Sequence, residues 1–240
     1  MNEHYVRWYT PYLSRDFEML TFGHAGYPVV IFPTSLGRYY QAKDFGLVES
    51  VRPLLEAGKI RLYCPDGVDE HSWYNKALHP ADRIRTHMAY ERVILADVVS
   101  RVRHETRSAR LCVAGASFGG YHAMNFAMRH PEIAGYCISL SGAFDIKPFL
   151  DGYYDDNAYF NNPVDYVPNL TDPAILMQAR RMGIVLGTGD RDNCRDRNLH
   201  FSHLLNRQGI PHFLDDRKEC GHDWPYWREM LPHYLSLIHA

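Results

Sequence analysis

The sequence predicts an α/β protein: a single domain with a mostly parallel central sheet and helices on both faces. Three observations carry this prediction. Apolar runs of strand length recur at 28–32, 60–64, 111–114, 135–140 and 182–186. Helix-compatible segments separate most of them. At 109–129 a strand, a tight turn and a helix follow one another with no linker. The 240 residues suffice for a sizeable core, and no repeat or low-complexity stretch divides residues 1–240.

In chain order, residues 15–22 alternate like an early antiparallel strand, and 28–32 (P-V-V-I-F) reads as a buried one. The turn formers at 33–38 end it. Residues 39–56 read as helical with a break near Pro53, and 60–64 as a strand closed by Pro65-Asp66-Gly67. The longest helical pattern is 80–107. Pro80 suits its first turn, and Ile84, Met88, Ile94 or Leu95, Val98 and Val102 repeat at helical spacing. The helix at 121–129 stops at His130-Pro131. Residues 145–173 hold Tyr153, Tyr154, Tyr159, Phe160 and Tyr166 among Asp, Asn and Pro, too broken for a long helix, and read as a short cap insertion over the carboxyl edge of the sheet. After the strand at 182–186 come a helix at 196–208, a short last strand at 211–214 and a closing amphipathic helix at 224–238.

Composition narrows the function. Apolar residues make up 46% and charged residues 22%, with a formal net charge of −2, so nothing points to nucleic acid or an anionic membrane. The N-terminus has no apolar signal region and no run approaches a membrane span. The five cysteines show no C-x-x-C spacing, which reads as reduced usage and a cytoplasmic protein. His200 and His203 have H-x-x-H spacing without H-E-x-x-H, so no metal and no organic cofactor are expected.

The chemistry centres on Gly115-Ala116-Ser117-Phe118-Gly119, a G-x-S-x-G pattern in the strand–turn–helix context of a nucleophile elbow. The turn must be tight enough to lift a serine hydroxyl clear of the sheet, and side chains at the flanking positions would collide. A serine hydroxyl needs a base, and the base an orienting acid. In this architecture both follow later strands, in the order Ser, Asp/Glu, His. His222, in C-G-H-D-W-P-Y-W after the last strand, is the base. His212 falls in a predicted strand, and His233 and His239 on the last helix. The acid is Asp192 or Asp190, with Asp192 favoured because it lies deeper in the turn; Asp145 is an outside candidate. The oxyanion hole combines the Phe118 amide with one from the 34–37 loop, where Leu36 is the first choice and Ser35 a credible one. Ser35, Trp73, Tyr74, Trp224 and the tyrosines of 145–173 are expected to wall the pocket.

G-A-S-F-G-G at 115–120, S-W-Y after P-D-G, and the terminal G-H-D-W-P-Y-W resemble the esterase branch of the α/β-hydrolase superfamily. That branch includes esterase D (S-formylglutathione hydrolase), feruloyl-esterase-like proteins and the antigen 85 mycolyltransferases. The resemblance covers nearly the whole chain. It implies Ser117 as nucleophile, His222 as base, Leu36 and Phe118 as oxyanion amides, and it favours Asp192 as the acid. The chain departs from relatives that carry a long lid. The expected function is a serine carboxylesterase acting on a small to medium acyl or aryl ester. The rivals are an acyltransferase or thioesterase using the same residues, a non-catalytic binding module on the same fold, and a structural subunit. The expected partner is a small-molecule ester, with a homo-oligomer left open.

Overall fold

The computed structural model describes residues 1–238, so His239 lies outside the described residues. Eight strands form one sheet: β1 (Glu3–Thr10), β2 (Arg15–Phe22), β3 (Tyr27–Phe32), β4 (Ile60–Pro65), β5 (Leu111–Ala116), β6 (Ala134–Leu140), β7 (Gly183–Arg191) and β8 (Phe213–Gly221). Their spatial order is β1-β2-β4-β3-β5-β6-β7-β8. β1 and β2 pair antiparallel, β2 joins β4 antiparallel, and every later pairing is parallel.

Eleven α-helical segments cover the sheet among the described residues: α1 (Gln41–Asp44), α2 (Leu47–Ser50), α3 (Arg52–Glu56), α4 (Pro80–Val93), α5 (Ser100–Thr106), α6 (Phe118–Arg129), α7 (Asp156–Tyr159), α8 (Pro163–Tyr166), α9 (Pro173–Ala179), α10 (Arg195–Arg207) and α11 (Trp224–Ser236). A π-helical stretch, Ile94–Val99, joins α4 to α5. Thus 80–107 is one nearly continuous helical path, while 39–56 divides into three short helices at Gly46 and Val51.

The strand period explains the layering. Along β3, Val30 and Phe32 enter one core layer while Val29 and Ile31 enter the other. β5 repeats this, with Val113 on the first face and Cys112 and Ala114 on the second. The first layer packs against α4, α5, α6 and α10, the second against α1 to α3 and α11. Each large apolar side chain buried this way contributes about 1.5–3 kcal/mol. A third, smaller cluster of Trp73, Ile84, Phe118, Tyr121, Ile146, Leu150 and Ala158 joins α6 to the start of the 145–173 segment.

Besides the split of 39–56, three strands differ from the sequence expectation. β1 carries no strand signal in the sequence, because it is an edge strand whose residues are mostly exposed, leaving little apolar alternation. It is held by pairing with β2 and by cross-strand bonds such as Tyr5 Oη to Glu18. β7 and β8 run several residues past their apolar stretches, because they pair with each other through polar positions as far as Arg191 opposite Gly221. Gly189 allows that close approach, since a Cβ there would lie 2.4 Å from the carbonyl oxygen of Cys220.

Candidate active site

The extended pairing of β7 and β8 sets up the site. With Arg191 opposite Gly221, the next residues of the two strands, Asp192 and His222, emerge side by side. His222 Nδ1 lies 2.8 Å from Asp192 Oδ1, and its Nε2 lies 2.9 Å from Ser117 Oγ. These distances fit a Ser117 hydroxyl donating to Nε2 and an Nδ1–H donating to the carboxylate.

Ser117 stands between β5 and α6 at φ 55° and ψ −119°, a left-handed conformation that a serine adopts only under constraint. Its amide donates to Leu140 O at 2.8 Å, and its carbonyl accepts from Gly120 and Ala143 amides. Gly119 lets the turn sit on the end of β3, because a Cβ there would lie 2.5 Å from Phe32 O and 2.6 Å from Pro33 O. This packing brings the start of α6 against the loop after β3.

Asp192 is fully buried at its side chain. Its Oδ1 also accepts from the Cys194 amide at 2.8 Å, and its Oδ2 from Thr188 Oγ1 at 2.9 Å. Burial alone would raise its pKa, but donors from His222, Ser141, Cys194 and Thr188 outweigh that and hold it below the usual carboxylate value. For His222, burial works against the imidazolium, yet the Asp192 carboxylate and Cys194 prevail and push its pKa up to about 9. The imidazole is braced edge-on by Trp227 at 5.1 Å, and Trp227 Nε1 donates to Ser141 Oγ at 2.9 Å.

The other expected residues fall in several places. Asp190 is exposed at the end of β7, outside this chain of hydrogen bonds. His212 faces away and bonds Ser202 Oγ at 2.6 Å. A cavity of about 420 Å³ opens over Ser117 and His222, lined by Ser35, Tyr74, Phe118, Phe149, Cys194 and Arg197 among others. Tyr74 Oη donates to Ser35 Oγ at 2.8 Å. Trp73 is a correction: it is 0% exposed and packs behind Phe149, in the layer beneath the wall. Trp224 is another, since it stacks on Phe45 at 4.6 Å and does not line this cavity. The tyrosines of 145–173 do not line it either; Asp145, Pro148 and Phe149 do so from that segment. Phe149 and Arg197 carried no sequence signal, because their approach depends on tertiary packing.

Leu36 also departs from expectation. Its amide is turned toward the Asp69 carboxylate at 3.4 Å, and its side chain borders a separate cavity beyond the loop. Ser35, next to it, borders the Ser117 cavity. Among the described residues, Asp192, Cys194 and His222 offer potential metal-ligating atoms within 4.8 Å of one another. Two of those three are already engaged in the Ser117–His222–Asp192 hydrogen bonds. His200 and His203 lie on α10, outside that group. No helix of the described residues is long and apolar enough to cross a membrane.

Residues 22–238 match the family model described as "Putative esterase". The chain belongs to this esterase family, and its fold is the α/β-hydrolase fold. Its fold is similar to that of a ferulic acid esterase, with a TM-score of 0.77 at 18% identity over 98% of this chain and 96% of that one. It is likewise similar to an S-formylglutathione hydrolase from Agrobacterium tumefaciens (TM-score 0.76, 18% identity, 98% and 93% covered). Mycobacterium tuberculosis MPT51 (FbpC1) has the same fold, with a TM-score of 0.72 at 13% identity and 98% and 97% covered. A curated relative, the L-serine/homoserine O-acetyltransferase of Streptomyces lavendulae, is 39% identical over 66 residues. That match spans 26% of this chain and 18% of the relative's length.

Proposed function

We propose that the protein is a serine carboxylesterase that cleaves a small to medium acyl or aryl ester through an acyl-enzyme. The observation that supports this most is His222 bridging Ser117 Oγ and Asp192 Oδ1 at hydrogen-bond distance, beside an open cavity. In this reading, His222 Nε2 takes the Ser117 proton as Oγ attacks the ester carbonyl carbon. The tetrahedral oxyanion accepts the amides of Phe118 and Ser35, with Ser35 replacing Leu36 because the Leu36 amide is engaged by Asp69. His222 then protonates the leaving alcohol, and the carbonyl re-forms as an ester to Ser117. Water, deprotonated by the same imidazole, attacks that ester, and Ser117 leaves with the proton. Asp192 fixes the Nδ1–H tautomer and stabilises the imidazolium. The aromatic wall of Tyr74 and Phe149, backed by the buried Phe118 ring, holds the apolar part of the substrate.

Turnover of p-nitrophenyl acetate and butyrate tests this reading. Ser117→Ala is expected to lower kcat by at least about 10⁴-fold with the fold intact, and an unchanged rate would refute it. The local match to an O-acetyltransferase supports a second reading, in which an alcohol replaces water in deacylation. With acyl donor present, a new ester formed on added L-serine or homoserine would support transfer, and free acid alone would support hydrolysis.

A further inference from the structure

A buried carboxylate that the proposed chemistry does not use lies behind the loop after β3. Asp69, 3% exposed, opens a short 3₁₀ turn after β4. Its Oδ1 pairs with His122 Nε2 at 3.0 Å, and its Oδ2 accepts the Leu36 amide at 3.4 Å. His122 is itself buried and sits on α6 one turn beyond Phe118, whose ring it meets edge-on at 5.0 Å. One carboxylate therefore grips both segments that would supply oxyanion amides.

The grip bears on a strained position. Leu36 has φ 59°, a left-handed conformation that a leucine keeps only where its surroundings over-determine it. Two bonds supply that constraint: Gly37 N–H to Thr34 O at 2.9 Å, and Leu36 N–H to Asp69. With the Leu36 amide drawn back to Asp69, the loop offers the cavity its neighbour, Ser35.

We infer that Asp69, oriented by His122, is a positioning residue: it holds the 34–37 turn so that the Ser35 amide stays in register with the Phe118 amide. The inference rests on the esterase reading. An aspartate accepts both N–H donors at once, whereas an asparagine has one acceptor oxygen and loses one bond.

The test is steady-state kinetics of Asp69→Asn on an ester and its thionoester, whose sulfur is a poorer partner for donors placed to receive oxygen. Asp69→Asn is expected to keep KM near the parent value and to lower ester kcat on the order of 10- to 100-fold. The ester-to-thionoester ratio falls with it. Adding Leu36→Gly restores part of the loss, because glycine holds φ > 0 without strain. His122→Gln, measured beside it, moves the ratio in the same direction and decides the matter if Asp69→Asn does not fold. A parent-like ratio in the folded variants, or a parallel fall on both substrates that Leu36→Gly leaves unchanged, would overturn the inference. Absence of ester turnover in the parent protein would instead overturn the esterase reading.

Discussion

His222 sets the pH dependence of the proposed chemistry. It acts as a base only when neutral, and Asp192 holds its pKa up to about 9, above the ordinary 6.5. The kcat/KM profile is therefore expected to rise with pH along a limb displaced to the alkaline side of 6.5. Asp192→Asn is expected to lower kcat by about 10⁴-fold and to move that limb back down, since the carboxylate that raises the pKa is gone. Rates across pH 5–10 check both. The Ser117–His222 pair was legible as a candidate because the elbow pattern and the position after the last strand are local signals. Choosing Asp192 over Asp190 rested on depth in the turn, and in the structure Asp192 meets His222 while Asp190 faces solvent. Which amide of the 34–37 turn would serve could not be read from sequence, because the Leu36 amide meets a carboxylate thirty-three residues away.

At the scale of elements, the junction of β3, β5 and α6 is the most constrained. Gly119→Ala would drive a Cβ onto backbone oxygens of Phe32 and Pro33 that cannot yield as a side chain would. It is expected to cost about 2–3 kcal/mol or more of stability, read as a lowered melting temperature. A second anchor joins α4 to the end of α6. Glu91 Oε1 accepts from Arg129 Nε at 2.8 Å and pairs with His130 Nε2. Burial alone would raise the Glu91 pKa, but His130 and Arg129 bring it down to about 2. A depressed pKa contributes stability above the unfolded value near 4.5 and loses it as pH falls toward 2. Glu91→Gln is expected to cost about 2 kcal/mol at neutral pH, with parent and variant melting curves converging toward acid. The element pattern itself was largely legible, because buried strands and amphipathic helices carry their own periods. The edge strand β1 and the polar ends of β7 and β8 carry none, being made by pairing rather than burial.

For the whole molecule, in the proposed reading, the cavity over Ser117 is the feature that limits substrate size. Its volume of about 420 Å³ and its wall of Tyr74 and Phe149 suit short acyl chains or a single aryl ring. A p-nitrophenyl series is expected to show kcat/KM highest at acetate to butyrate and at least about tenfold lower at dodecanoate. A flat profile would show that the cleft does not grip the acyl group. The family was legible from motifs spread over the chain, and the family model spans residues 22–238. The aromatic wall was only half legible. A tryptophan in sequence does not say whether it faces a cavity or packs behind one, and Trp73 packs behind Phe149.

The central claim is that Ser117 is a nucleophile activated by His222. Treatment with a fluorophosphonate, followed by intact-mass and peptide mass spectrometry, tests it most directly. The account predicts one adduct, on the peptide carrying Ser117, abolished in Ser117→Ala and strongly slowed in His222→Ala. No adduct on the folded protein, or an adduct at another residue that persists in Ser117→Ala, would contradict it.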